Sequence, residues 1–237
     1  MSNIPCRKLQ PALFALILGV SLTATGEAQV GHPPTSSPYR DLRDKYFASI
    51  NGGYSWGSGG KVEAGPANGP IVGARFDVHL AGPGSIQVGI NWGNLNRQLI
   101  DPNADPGDRV YGTTTQSVFM ADAGLILTFT GQKTWYGFAP YLGASMGLAL
   151  GGSVPEDTLS TFTFNTKFIV GPQLGFRWHP VRQFFLRIEG RDMLWKLSYP
   201  NEYFDADPPV LDPQVNKTTE WTHNLMLLVS LGFVLKL

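Results

Sequence analysis

The chain has 237 residues, with 18 basic and 18 acidic side chains and a formal charge near zero. That balance leaves no electrostatic footprint for nucleic acid and no polybasic surface for an anionic membrane. Charged residues make up only 15% of the chain, against about 25% in ordinary soluble domains, while glycine and aromatic residues are plentiful.

At the N-terminus Arg7 and Lys8 precede the apolar run Ala12–Leu22, and the small residues Gly26 and Ala28 follow. A basic start, a short apolar stretch and small residues before a cut describe a secretory signal peptide, here residues 1–28. The run is shorter than the roughly 20 residues of a spanning helix. The one cysteine, Cys6, precedes the apolar run, whereas a lipidated cysteine would follow it, so the exported chain has no disulfide. Residues 29–45, proline-rich and polar, read as a periplasmic tether. The remainder, 46–237, is the size of one domain.

From residue 46 onward apolar side chains recur at every second position, the period of a strand with one apolar face. Eight such segments are predicted, spanning 46–56, 71–80, 85–95, 116–129, 138–150, 162–178, 184–195 and 221–237. The last carries Leu225, Leu227, Val229, Leu231, Phe233, Leu235 and Leu237 on one face. In the sixth, Phe162, Phe164, Phe168, Val170, Leu174 and Phe176 share the apolar parity. The connections alternate as well. AGPG, TGQKTWYG and HPVRQ are short, while those after the first, third, fifth and seventh strands are long. An even number of strands with short turns at one end and long loops at the other marks a bacterial outer-membrane barrel.

Alternation alone does not say which face points outward, because a lipocalin barrel is apolar inside. The fifth segment decides it. Its less apolar face reads Ala139, Tyr141, Gly143, Ser145, Gly147, Ala149, poor for a wetted surface and apt as filler in a narrow barrel. Aromatics also collect in two bands. Trp56, Trp92 and Trp221 lie toward the long loops, and Tyr46, Phe129, Trp135, Phe138, Trp178 and Phe184 toward the short turns.

With its alternating C-terminal strand, its loop pattern and the segment PYLGASMG (140–147), the chain resembles the small OmpA-like eight-stranded outer-membrane β-barrel family. The resemblance implies an all-β, antiparallel, up-and-down transmembrane barrel and a last strand read by the barrel-assembly machinery, although Leu237 stands where the family usually ends on an aromatic residue. It implies no particular activity.

Several motifs suggest chemistry. GASMG (143–147) fits the spacing of a serine nucleophile elbow, but that elbow needs a strand-to-helix turn, and Ser145 falls within a continuous strand. GSGGK (57–61) lacks the first glycine and the Ser/Thr of a phosphate loop. In Asp101–Asp108 three oxygen donors have calcium-loop spacing, but Pro106 replaces the needed glycine, leaving weak surface binding or a polar turn. His32, His79, His179 and His223 show no ligand spacing. A lipid-modifying enzyme of the outer membrane would pair a serine with a wall histidine, and only His223 has that parity.

The inward parity carries eight charges: Arg75, Asp77, Asp122, Lys167, Arg177, Arg187, Glu189 and Arg191. Charges in a narrow interior must be paired or watered, so these form either a salt-bridged plug or the lining of a narrow pore. A turn centred near Val181 would set Gly175 opposite Arg187, Gln173 opposite Glu189 and Gly171 opposite Arg191. Asp192, with lipid-facing parity, belongs near the outer interface. The reading is a monomeric, non-enzymatic outer-membrane barrel without cofactor or metal, surrounded by outer-membrane lipids. Its role is structural in the envelope or one of surface interaction, in which the long loops would meet an extracellular partner, and nucleic acid plays no part. A narrow pore and a lipid-modifying enzyme are the alternatives.

Overall fold

The computed structural model describes residues 37–42 and 44–235. The signal peptide, the first part of the tether and the terminal pair Lys236 and Leu237 lie outside the described residues.

Ten strands form: β1 (Tyr39–Asp41), β2 (Tyr46–Gly57), β3 (Gly69–Ala81), β4 (Gly84–Ile100), β5 (Val110–Thr128), β6 (Lys133–Trp135), β7 (Phe138–Gly151), β8 (Thr166–Trp178), β9 (Phe184–Ser198) and β10 (Thr219–Leu235). One helical turn, α1 (Glu202–Asp205), lies between β9 and β10. No helix among the described residues is long and apolar enough to cross a membrane. The eight long strands pair antiparallel in the ring β2-β3-β4-β5-β7-β8-β9-β10, and β10 returns to β2. That closing ladder runs from Asn224 opposite Gly57 to Leu235 opposite Tyr46. The alternating last strand is thus paired on both sides, against β2 and β9, and the sheet has no free edge.

Side chains follow the period of two. Outward positions are apolar and exposed, Ile50, Leu125 and Leu174 each above 60%. Inward positions are buried and include most of the polar side chains. This is the reverse of a soluble barrel, and it is a wall built for lipid.

Three departures from the sequence reading have local causes. The β4–β5 hairpin extends beyond the predicted segments, up to Ile100 and back from Val110, because its polar, threonine-rich tips keep pairing above the wall. The sixth segment starts at Thr166 rather than 162, since Thr161 and Asn165 adopt positive φ (52° and 53°) and break the extension. Phe162 and Phe164 therefore leave the lipid-facing row and turn into a core beneath the loops. Finally, β1 in the tether pairs with β6 in the β5–β7 connection, laying the N-terminal segment along the short-turn end. Strands of three residues give no periodic signal in the sequence.

Candidate functional site

The lumen is layered along its axis. At the short-turn end Phe47, Phe185 and His179 make an aromatic floor, with ring centroids 5.5 to 6.3 Å apart. Gly232 leaves the space this floor needs, since a Cβ there would lie 2.1 Å from the Phe185 ring. Burial, with Arg177 and Arg187 close by, pushes the His179 imidazole down to about 4, so it is neutral at neutral pH.

Above the floor lie the charges. Arg177 and Arg187 stand directly opposite one another on β8 and β9. Asp77 accepts from both, at 3.3 Å from Arg177, which separates two guanidinium groups that would otherwise repel. Arg177 also lies over the Phe47 and Tyr141 rings at 5.2 and 5.5 Å. One step further along the axis, Glu189 is the hub. It accepts two 2.6 Å bonds from the fork of Arg75, one from the Tyr141 hydroxyl, and one of 3.1 Å from Arg191. Arg191 gives its other arm to Asp122 at 2.9 Å. Gln87 and Gln173 exchange amide bonds of 3.2 and 2.8 Å beside them.

Of the eight charges singled out in the sequence, seven meet in this cluster, and all seven are buried. Lys167 does not join it. It sits at the long-loop rim, half-exposed, with Nζ 3.4 Å from the Ser198 hydroxyl. The β8–β9 register also differs from the expected one: Arg187 faces Arg177, Glu189 faces Gly175 and Arg191 faces Gln173. A slip of two residues leaves every side chain on its original face, so alternation cannot detect it.

Toward the long loops the interior changes character. Asn51 and Asn91 share a 2.9 Å bond, and beyond them Ile71, Met120, Ile169, Met193, Trp195, Met226 and Leu228 fill the barrel with apolar side chains. Met193, Trp195, Met226 and Leu228 on the inward parity are the signal of this layer in the sequence, absent from the eight charges singled out there. The core continues into the loops (58–68, 101–109, 152–165 and 199–218), where Ala64, Phe162, Phe164, Tyr203 and Leu211 are buried. Polar ties bind the loops to one another. Arg97 pairs with Asp157, bonds the Ala64 carbonyl at 3.0 Å and lies 5.1 Å over Phe162. The Lys61 amide donates to the Tyr199 hydroxyl at 3.0 Å, which donates to Glu220 at 2.7 Å. Burial pushes the Tyr203 phenol up to about 12.

The remaining motifs take structural places. Ser145 faces the lumen from the middle of β7, its hydroxyl 3.5 Å from the Gly171 carbonyl. Asp101 caps its own turn by accepting from the Asn103 amide at 2.9 Å. Among the described residues no three His, Cys, Asp or Glu side chains gather in a metal-binding group. On the outer wall Asp192 and His223 pair at 2.7 Å, and Asp192 also accepts from the Asn224 amide at 3.1 Å. Asp192 lies opposite Leu225, which lies opposite Trp56, so the pair is level with the aromatic band below the long loops.

A closed ring, an apolar exterior and a packed interior invite comparison with solved structures. Neisserial surface protein A matches over 80% of this chain and 97% of its own, with 14% identity and a TM-score of 0.53. The fold is that of a small outer-membrane β-barrel. OprG of Pseudomonas aeruginosa matches over 82% of this chain and 98% of its own, at 11% identity and a TM-score of 0.48. The N-terminal barrel of OprF from the same organism covers 81% and 98%, at 12% identity and 0.43. No family model matches the chain, and no curated protein matches it in sequence.

Proposed function

We propose that this protein is a monomeric, non-enzymatic outer-membrane barrel that holds four long loops at the cell surface, where they meet an extracellular partner. The observation that carries this reading is the stack of obstructions along one axis: aromatic floor, paired charges, apolar layer and interlocked loops. An interior filled in this way leaves the loop surface as the part free to engage another molecule, and loops on a rigid scaffold are where binding usually resides. The fold-level likeness to a Neisserial surface protein agrees with it. The exposed apolar wall would take outer-membrane lipids, and β10 would be read by the barrel-assembly machinery. Capture of partners from intact cells, with each long loop deleted in turn, tests the reading when run beside planar-bilayer recordings. Loop-dependent capture with a silent bilayer supports it. Ohmic conductance that persists after loop deletion favours a narrow pore instead.

A further inference from the structure

We infer that the cleft beneath the third long loop binds the hydroxyl groups of a neutral sugar. The inference rests on the surface-binding reading and narrows it to a ligand class.

The cleft has a volume of about 410 Å³, within the range of roughly 300–1,000 Å³ usual for small-molecule sites. It lies between the tops of β4 and β5 and loop 152–165, and its polar lining includes Arg97, Gln116, Asp157, Thr161, Thr163 and Asn165. Gln116 and Arg97 are each only 3% exposed. Gln116 spends its amide nitrogen on the Gly152 carbonyl at 2.9 Å, and its Oε1 has no partner. Arg97 spends its terminal nitrogens on Ala64 and Asp157, and its Nε has no partner. The β4–β5 register sets Gln116 opposite Leu95, so Arg97 is its diagonal neighbour on the same inward face.

Buried polar atoms are normally hydrogen-bonded, so an unpartnered acceptor and an unpartnered donor in one cleft suit a ligand that supplies both. One is an acceptor and the other an N–H donor. A hydroxyl group donates and accepts at once, and a saccharide presents several on a rigid ring. The exposed side chains of Thr161, Thr163 and Asn165 extend the same chemistry around the rim. Asp157 neutralises the Arg97 guanidinium, so the floor offers no net field for a sulfated or phosphorylated polymer.

The test is saturation-transfer NMR on the full mature chain folded in detergent micelles. The probes are glucose, galactose, mannose, N-acetylglucosamine and their common disaccharides. At least one should receive saturation. The signal should fall at least tenfold in Gln116→Leu and in the rim variants Thr163→Val and Asn165→Gly, which alter exposed side chains, the glycine keeping the positive φ at position 165. Val215→Ala, in the exposed part of the fourth loop, should keep it. A free glycan and the sugar of an outer-leaflet glycolipid share this chemistry. If the ligand is lipid-borne, nanodiscs containing lipopolysaccharide should suppress the free-sugar signal, and phospholipid nanodiscs should not. Absence of transfer to every probe overturns the inference, as does transfer that all three site variants retain. Binding of heparin that is salt-sensitive and indifferent to Gln116 overturns it too. Should loop deletion still abolish cell-surface capture in any of those cases, the sugar inference alone has failed. If capture survives every deletion, the surface-binding reading has failed.

Discussion

Replacing Glu189 with alanine removes the centre of the buried network. Its carboxylate, on a side chain 1% exposed, takes both prongs of Arg75, one nitrogen of Arg191 and the Tyr141 hydroxyl. Arg191 keeps Asp122, but the Arg75 guanidinium, 5% exposed, loses the one carboxylate it pairs with. Breaking a buried pair from one side costs about 3 to 5 kcal/mol, because the remaining charge stays desolvated. With a urea slope of about 2 kcal/mol per molar, the unfolding midpoint should drop by about 1.5 to 2.5 M. The assay is urea unfolding of the barrel in lipid vesicles, followed by tryptophan fluorescence. Ser145→Ala, which removes one marginal 3.5 Å contact, should stay within about 1 kcal/mol of the parent. A double variant, Arg75→Met with Glu189→Leu, should recover much of the loss, since apolar replacements of similar volume are often neutral for a buried pair. If Glu189→Ala leaves the midpoint unmoved and raises single-channel conductance, the charges are watered, and the argument from a dry plug is refuted.

Gly232→Ala would place a methyl group 2.1 Å from the Phe185 ring and should cost about 1 to 3 kcal/mol by the same unfolding assay. His179 is held below its ordinary value, so its contribution to stability is complete above about pH 6.5. It should fade as pH falls toward 4, a change on the order of 3 kcal/mol, and His179→Phe should flatten that slope in acid titrations. Cysteines at Leu125 and Met146, both 62% exposed, should react with a lipid-phase maleimide, whereas cysteines at the buried Ser49 and Ser145 should not; reversed labelling would contradict the assignment of wall and lumen. Asp157→Ala unpairs Arg97 and should speed protease cleavage within loop 152–165, as read by mass spectrometry of the fragments.

The barrel was legible in the sequence because every ring strand buries one face, and a period of two survives even where side chains are unusual. Arg75, Asp77 and Glu189 could be assigned to the interior by parity alone. Parity carries no information about height or about slips of two. For that reason parity does not show that Arg177 faces Arg187, nor that Lys167 lies several residues along β8 from the charge cluster. Phe162 and Phe164 misled for another reason. Two further alternating aromatics continue a strand on paper, but positive φ at Thr161 and Asn165 is a backbone event that neither residue type announces. The cleft left no local trace at all, because Arg97 and Gln116 lie on different strands and meet through the register of a hairpin extending beyond the predicted wall.

The division of the interior into a charged half near the short turns and an apolar half near the loops bears on how such a barrel could enter a bilayer. For a chain inserting from the short-turn side, the loop ends of the strands lead. Those leading segments carry Ile71, Val118, Met193, Trp195 and Met226 on their inward faces, so much of their length is apolar on both sides while it passes the hydrocarbon centre. Arg97 and Lys167 ride with the leading ends, whereas Arg75, Arg177 and Arg187 trail beside their carboxylates; at the bilayer centre an unpaired cation on such a wall costs about 2 to 4 kcal/mol. The position of the charges along the axis would then lower a barrier on the route into the membrane as well as hold the finished barrel together.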